Sequence, residues 1–167
     1  MNRIACREWN EAIAKGMSLI PPRIIERAGH FNLFVGADPV FAGLSPAEVD
    51  FGDGRNNRNT SHVLYPMHLA HMPASERVST IVLSHEYPAK FGLWPVYVVV
   101  HEFGHILHHS LRFEWGASPT SDYSLSDYWE CFAEAFTGWC WGIPVDERDQ
   151  RTSESDCAFF ETLALGA

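Results

Sequence analysis

The chain has 167 residues, 46% hydrophobic and 20% charged, a composition that supports one folded domain with a real core and excludes a disordered segment. Its formal net charge is -9 with only 12 Lys and Arg and no basic run, so it lacks the positive face that a nucleic-acid partner requires. The longest apolar run, residues 95–100, is far too short to span a bilayer, and Cys6, Cys131, Cys140 and Cys157 form no C-x-x-C pair, which suits reduced thiols better than a disulfide framework.

The first residues, MNRIACREWNEAIAKG, are charged throughout and contain no apolar core of a secretory signal. A cytoplasmic location is the expectation, with export by another route left open. Ile4, Trp9 and Ile13 give residues 3–15 a broken helical pattern. A short second helix follows the Pro21-Pro22 pair through Ile24, Ile25 and Ala28 and stops at Gly29. Residues 31–35 read as a strand. Residues 36–60 are loop-like, carrying GADP, Ser45-Pro46 and FGDGRNNRN.

Residues 62–65 form a further candidate strand, ended by Pro66. The strongest strand pattern covers residues 78–87, with Val78, Thr80 and Val82 on one face and Ile81 and Leu83 on the other; Pro88 ends it. A helix is predicted from Pro95 to about residue 110, and its early VYVVV face is apolar enough to be buried. A polar segment, 116–126, separates it from a second strong helix over 127–141, stopped by Gly142 and Pro144. Residues 153–165 complete the set. The whole, 1–167, is predicted to be a single α+β domain, with a small sheet preceding two long helices that carry the polar residues of interest.

The first long helix holds HEFGH at residues 101–105. Positions i and i+4 share one helix face, so His101 and His105 can both address one metal ion. Glu102 then stands beside the metal, where it can reach a water. Two histidines do not complete a catalytic zinc site, which takes three protein ligands and an open position. The third is not an extended-motif histidine, because His108 and Leu111 stand where that pattern wants Gly and His.

The second long helix supplies carboxylates. YWECFAEAF places Glu130 and Glu134 four apart among apolar residues, where a charge is costly unless paired or metal-bound. Glu130 also fits a capping box with Asp127 as N-cap, and Glu134 also fits an ordinary surface glutamate. Other histidines compete less well: His85-Glu86 lacks its partner at Ala89, His68 and His71 read as loop residues, and His108 and His109 lie off the metal face.

HEFGH followed by E-x-F-A-E-A-F resembles the catalytic domain of anthrax lethal factor-type peptidases, within the wider gluzincin group. It is more distantly similar to the thermolysin-type E-x-x-x-D pair. The resemblance covers residues 96–137, and residues 106–129 make a considerably shorter connection than in lethal factor. It implies a zincin-like metallopeptidase fold, with Zn²⁺ bound by His101, His105 and Glu130. Glu102 would be the general base and Glu134 a carboxylate orienting a ligand histidine. Tyr123, seven residues before Glu130, would bind the developing oxyanion. Without that spacing, Tyr123 and the nearby Tyr128 are equal candidates. The strand before the motif would resemble a substrate-binding sheet edge, although an internal strand fits the sequence as well.

These readings predict a zinc endopeptidase acting on a protein or peptide, with no nucleic-acid or membrane partner. A non-catalytic zinc-binding regulatory or interaction domain is the alternative, and a metal-free structural domain the third. Retention of Glu102, which a merely structural metal site does not need, favours the enzyme.

Overall fold

The computed structural model of the protein describes residues 3–35, 61–67, 73–83, 93–142 and 151–166. Two helices open the chain, α1 (Arg3–Leu19) and α2 (Pro22–Ala28). Three short strands follow, β1 (Asn32–Val35), β2 (His62–Leu64) and β3 (Thr80–Leu83). Helices α3 (Trp94–Ser110), α4 (Tyr128–Trp141) and α5 (Glu154–Leu165) complete the domain. The described residues thus form an α+β arrangement of five helices and one three-stranded sheet. The sequence-predicted loop 36–60, His68, His71 and the His85-Glu86 pair lie outside them.

The described helices and strands fall near their predicted places, with instructive shifts; of the predicted strand 78–87 only 80–83 is strand, and 84–87 lie outside the described residues. Helix α1 continues past residue 15, through Gly16 to Leu19. Glycine costs a helix about 1 kcal/mol relative to alanine. Here it is needed, because a Cβ at Gly16 would lie 2.8 Å from Val99 Cγ1 and 3.3 Å from the Val96 carbonyl oxygen. The close approach seats α1 on α3, with Trp9 and Ala12 buried in the same core.

The sheet order is β1-β3-β2, with β1 parallel and β2 antiparallel to β3. Ile81 of β3 therefore pairs with Leu33 on one side and Val63 on the other. All four residues of β3 are buried. The substrate-edge reading of this strand is therefore corrected: β3 is the middle strand among the described residues, and its backbone is engaged on both sides.

Helix α3 is the centre of the molecule. Thirteen of its residues are buried, including Val99, Val100, Phe103, Ile106 and Leu107. Fully burying a large apolar side chain contributes about 1.5–3 kcal/mol. A helix so rich in these can keep costly polar groups dry. Helix α4 lies against it through Phe132, Ala135 and Phe136, and Phe103 packs near Phe136 with ring centroids 6.0 Å apart. The contact is close at Gly104, where a Cβ would stand 2.9 Å from Ala133 Cα.

The α4 start is set by Asp127, whose carboxylate accepts from the Trp129 backbone N–H at 2.9 Å. Its end is the left-handed Gly142. Helix α5 is capped by Ser153. Buried Asp156 ties it to the segment after α3, accepting from Trp115 Nε1 at 2.9 Å and the Ser118 N–H at 3.1 Å. Cys131, Cys140 and Cys157 carry free thiols, and no helix among the described residues is long and apolar enough to cross a membrane.

Candidate metal centre

His101 and His105 stand one turn apart on the buried face of α3, their rings nearly perpendicular with centroids 4.9 Å apart. Glu130, in the first turn of α4, points its carboxylate at both. Its Oε2 lies 3.0 Å from His101 Nε2 and 3.5 Å from His105 Nε2. The Asp127 cap therefore does not spend the Glu130 side chain on the helix start.

One donor atom from each of the three residues lies within 4.8 Å of the other two. A tetrahedral ion bound at about 2.0–2.1 Å holds its donors roughly 3.3–3.4 Å apart. The two carboxylate-to-imidazole separations bracket that value. The donor set, two imidazole nitrogens and one carboxylate oxygen, can hold a metal ion.

The electrostatics are those of a tight cluster of opposed charges. Burial works against the charge of Glu130, yet hydrogen bonds from His101 and His105, and their positive fields, hold its carboxyl well below the usual carboxylate range. Glu102 is buried beside the pair. Burial pushes its carboxyl up to about 7, with His105 pulling the other way and Glu130 adding to the rise. Burial also raises the Tyr65 hydroxyl, reinforced by the negative charges of Glu102, Glu130 and Asp127.

Between the two candidate tyrosines the structure makes a distinction that spacing alone does not. Tyr123 is half exposed, with its ring centroid 6.4 Å from that of His101. Tyr128 turns its hydroxyl to the Phe113 carbonyl at 2.8 Å.

Glu134 does not touch a ligand histidine directly. Its Oε1 accepts from the Tyr97 hydroxyl at 3.0 Å, and that hydroxyl lies 3.5 Å from His101 Nδ1. In the sequence Tyr97 stands within the largely apolar run VYVVV. It stands four residues before His101, so the i, i+4 spacing that paired the histidines also marks Tyr97. Trp94 stacks on Tyr97, with centroids 4.8 Å apart and planes 21° apart, and is partly exposed.

His108 lies off the metal face, as expected. It is fully buried, stacked on Phe132 at 4.1 Å, and its Nε2–H donates to the Trp115 carbonyl at 3.0 Å. Its Nδ1 is buried without a hydrogen-bond partner among the described residues.

No protein-family profile, curated protein or solved structure matches the chain.

Proposed function

We propose that this chain is a zinc-dependent peptidase with a zincin-like fold, similar to the gluzincins, hydrolysing peptide bonds of a protein or peptide substrate. The observation that carries the reading is the convergence of His101, His105 and Glu130 from two helices, with Glu102, the residue after His101, buried and within electrostatic reach of His105 and Glu130. A site that only held a metal would have no use for a second, costly buried carboxylate outside the donor set.

In this reading the three donors hold zinc and leave one position open. Zinc, when bound, supplies the Lewis acidity that acidifies a water and polarises the scissile carbonyl. Glu102 takes the proton of the attacking water and returns it to the leaving amine. Tyr123 donates its hydroxyl hydrogen to the developing oxyanion.

The full chain, purified without an affinity tag, is expected to contain about one zinc by elemental analysis and to cleave members of a peptide library. Glu102→Ala should lower cleavage by about 10²–10⁴-fold or more while zinc stays bound. Cleavage unchanged in Glu102→Ala defeats the mechanism. A parent chain that binds zinc and cleaves nothing in the library points to the metal-binding regulatory domain instead.

A further inference from the structure

We infer that Glu134 is a positioning residue that divides its two oxygens between the metal centre and the turn carrying Tyr123, with the Tyr97 hydroxyl as its link to His101. The inference rests on the zinc reading above and extends it to residues that do not touch the ion.

The first half concerns Oε1. The Tyr97 hydroxyl donates its one hydrogen to Glu134 Oε1 at 3.0 Å. The hydroxyl oxygen can also accept, and His101 Nδ1 lies 3.5 Å from it. A hydroxyl whose hydrogen is drawn toward a carboxylate is a better acceptor, because hydrogen bonds in a chain polarise one another. The hydrogen bond to Glu130 puts the His101 proton on Nε2; ligation through Nε2 would instead require the proton of neutral His101 on Nδ1, where the Tyr97 hydroxyl is placed to accept it. The Trp94 ring stacked on Tyr97 restrains the phenol from moving sideways.

The second half concerns Oε2. It accepts from Thr120 Oγ1 at 3.2 Å and from the Ser121 hydroxyl. These two residues open a turn held together by Ser124. The Ser124 hydroxyl accepts from the Thr120 and Ser121 N–H groups at 3.0 and 2.9 Å and donates to the Ser121 carbonyl at 2.7 Å. The Cys131 thiol adds a bond from α4 to the Ser124 carbonyl at 2.9 Å. Tyr123 sits inside this turn. One carboxylate on α4 therefore sets both the orientation of a metal ligand on α3 and the position of the tyrosine turn.

The test separates the halves with zinc affinity, measured by chelator competition on the full chain, and amide hydrogen exchange of residues 120–124. Tyr97→Phe removes one hydroxyl and keeps the ring. It should weaken zinc binding about 10–100-fold, shift the visible absorption of the cobalt-substituted protein, and leave exchange of the turn unchanged. Thr120→Val combined with Ser121→Ala should speed exchange of the turn and hold zinc affinity within about threefold. Glu134→Ala should do both, and adding Tyr97→Phe to it should cost no further zinc affinity.

Tyr97→Phe binding zinc within about twofold of the parent overturns the inference, as does unchanged exchange in the Thr120/Ser121 variant. If Glu134→Ala does not fold, as judged by circular dichroism, the other two variants still decide it. A parent chain that binds no zinc overturns the metal reading, and this inference with it. A parent that binds zinc as tightly as its Tyr97→Phe variant overturns this inference alone.

Discussion

Tyr123 and Tyr128 flank the start of α4 and look interchangeable by composition, but one is placed by its ring and the other by its hydroxyl. Tyr123 adjoins His101, whereas Tyr128 is committed to the Phe113 carbonyl. Tyr123→Phe is expected to lower kcat about 10²-fold with zinc content unchanged, on the scale of losing one oxyanion donor. Tyr128→Phe is expected to leave kcat alone and to cost about 1 kcal/mol in urea unfolding, the worth of one hydrogen bond. Equal kcat losses in the two variants would remove the distinction. His108 makes a separate residue-scale prediction. Burial, the largest effect on it, lowers its pKa from 6.5 to about 4, against the hydrogen bond to Trp115 and together with the charge of His105. Above pH 6.5 both folded and unfolded chains hold a neutral imidazole. As pH falls from 6.5 toward 4, the unfolded chain takes up a proton that the folded chain refuses, so stability declines; below about 4 this decline stops. His108→Gln can still donate to the Trp115 carbonyl and does not titrate. Its stability should fall less steeply across that window than the parent's, measured as urea midpoints against pH.

At the scale of elements, the centre depends on how closely α3 and α4 approach. Gly104 lies inside the HEFGH motif and rests against Ala133. A Cβ there would also stand 3.3 Å from the Ala133 carbonyl oxygen, so relief requires the backbones to part. Overpacking of this kind costs about 1–3 kcal/mol, and the better helix propensity of alanine returns about 1. Stability reads only that difference. Zinc affinity reads the displacement itself, because Glu130 is carried away with α4. Gly104→Ala is therefore expected to lose a few degrees at most in thermal midpoint and about tenfold in zinc affinity by chelator competition. Unchanged affinity would mean the contact does not set the donor spacing. Much of this pairing was legible in the sequence, for local reasons. Asp127 starts α4, Gly142 stops it, and the i, i+4 period puts His101 with His105. What was not legible is non-local. The interior place of β3 depends on β1 and β2, distant in the chain, and no alternation of side chains reveals how many neighbours a strand has. The route from Glu134 to His101 passes through Tyr97, which spacing could have marked but an apolar context concealed.

At the scale of the whole molecule, the donors join the buried central helix to the helix packed on it, so an ion bound there opposes their separation. A ligand that binds only the folded chain stabilises it by about 2.7 kcal/mol at a hundred times its dissociation constant. For a chain of this size that is roughly 5–10 °C in thermal midpoint. Stripping with a chelator is expected to lower the midpoint by that order, and added zinc to restore it. Glu130→Ala should show neither response. The α+β architecture was readable from the order of predicted elements, but the tie from Asp156 to Trp115 and Ser118, which fixes the exit of α3 against α5, was not, since nothing local pairs an acidic residue with an indole many turns away.

The Trp94 indole is stacked on Tyr97 and open to solvent. Tyr97 adjoins His101, so an ion bound there is expected to perturb a fluorophore one ring removed from the donor. Loading is then expected to change tryptophan emission without any dye, and Trp94→Phe, which keeps the other five tryptophans, to reduce that change.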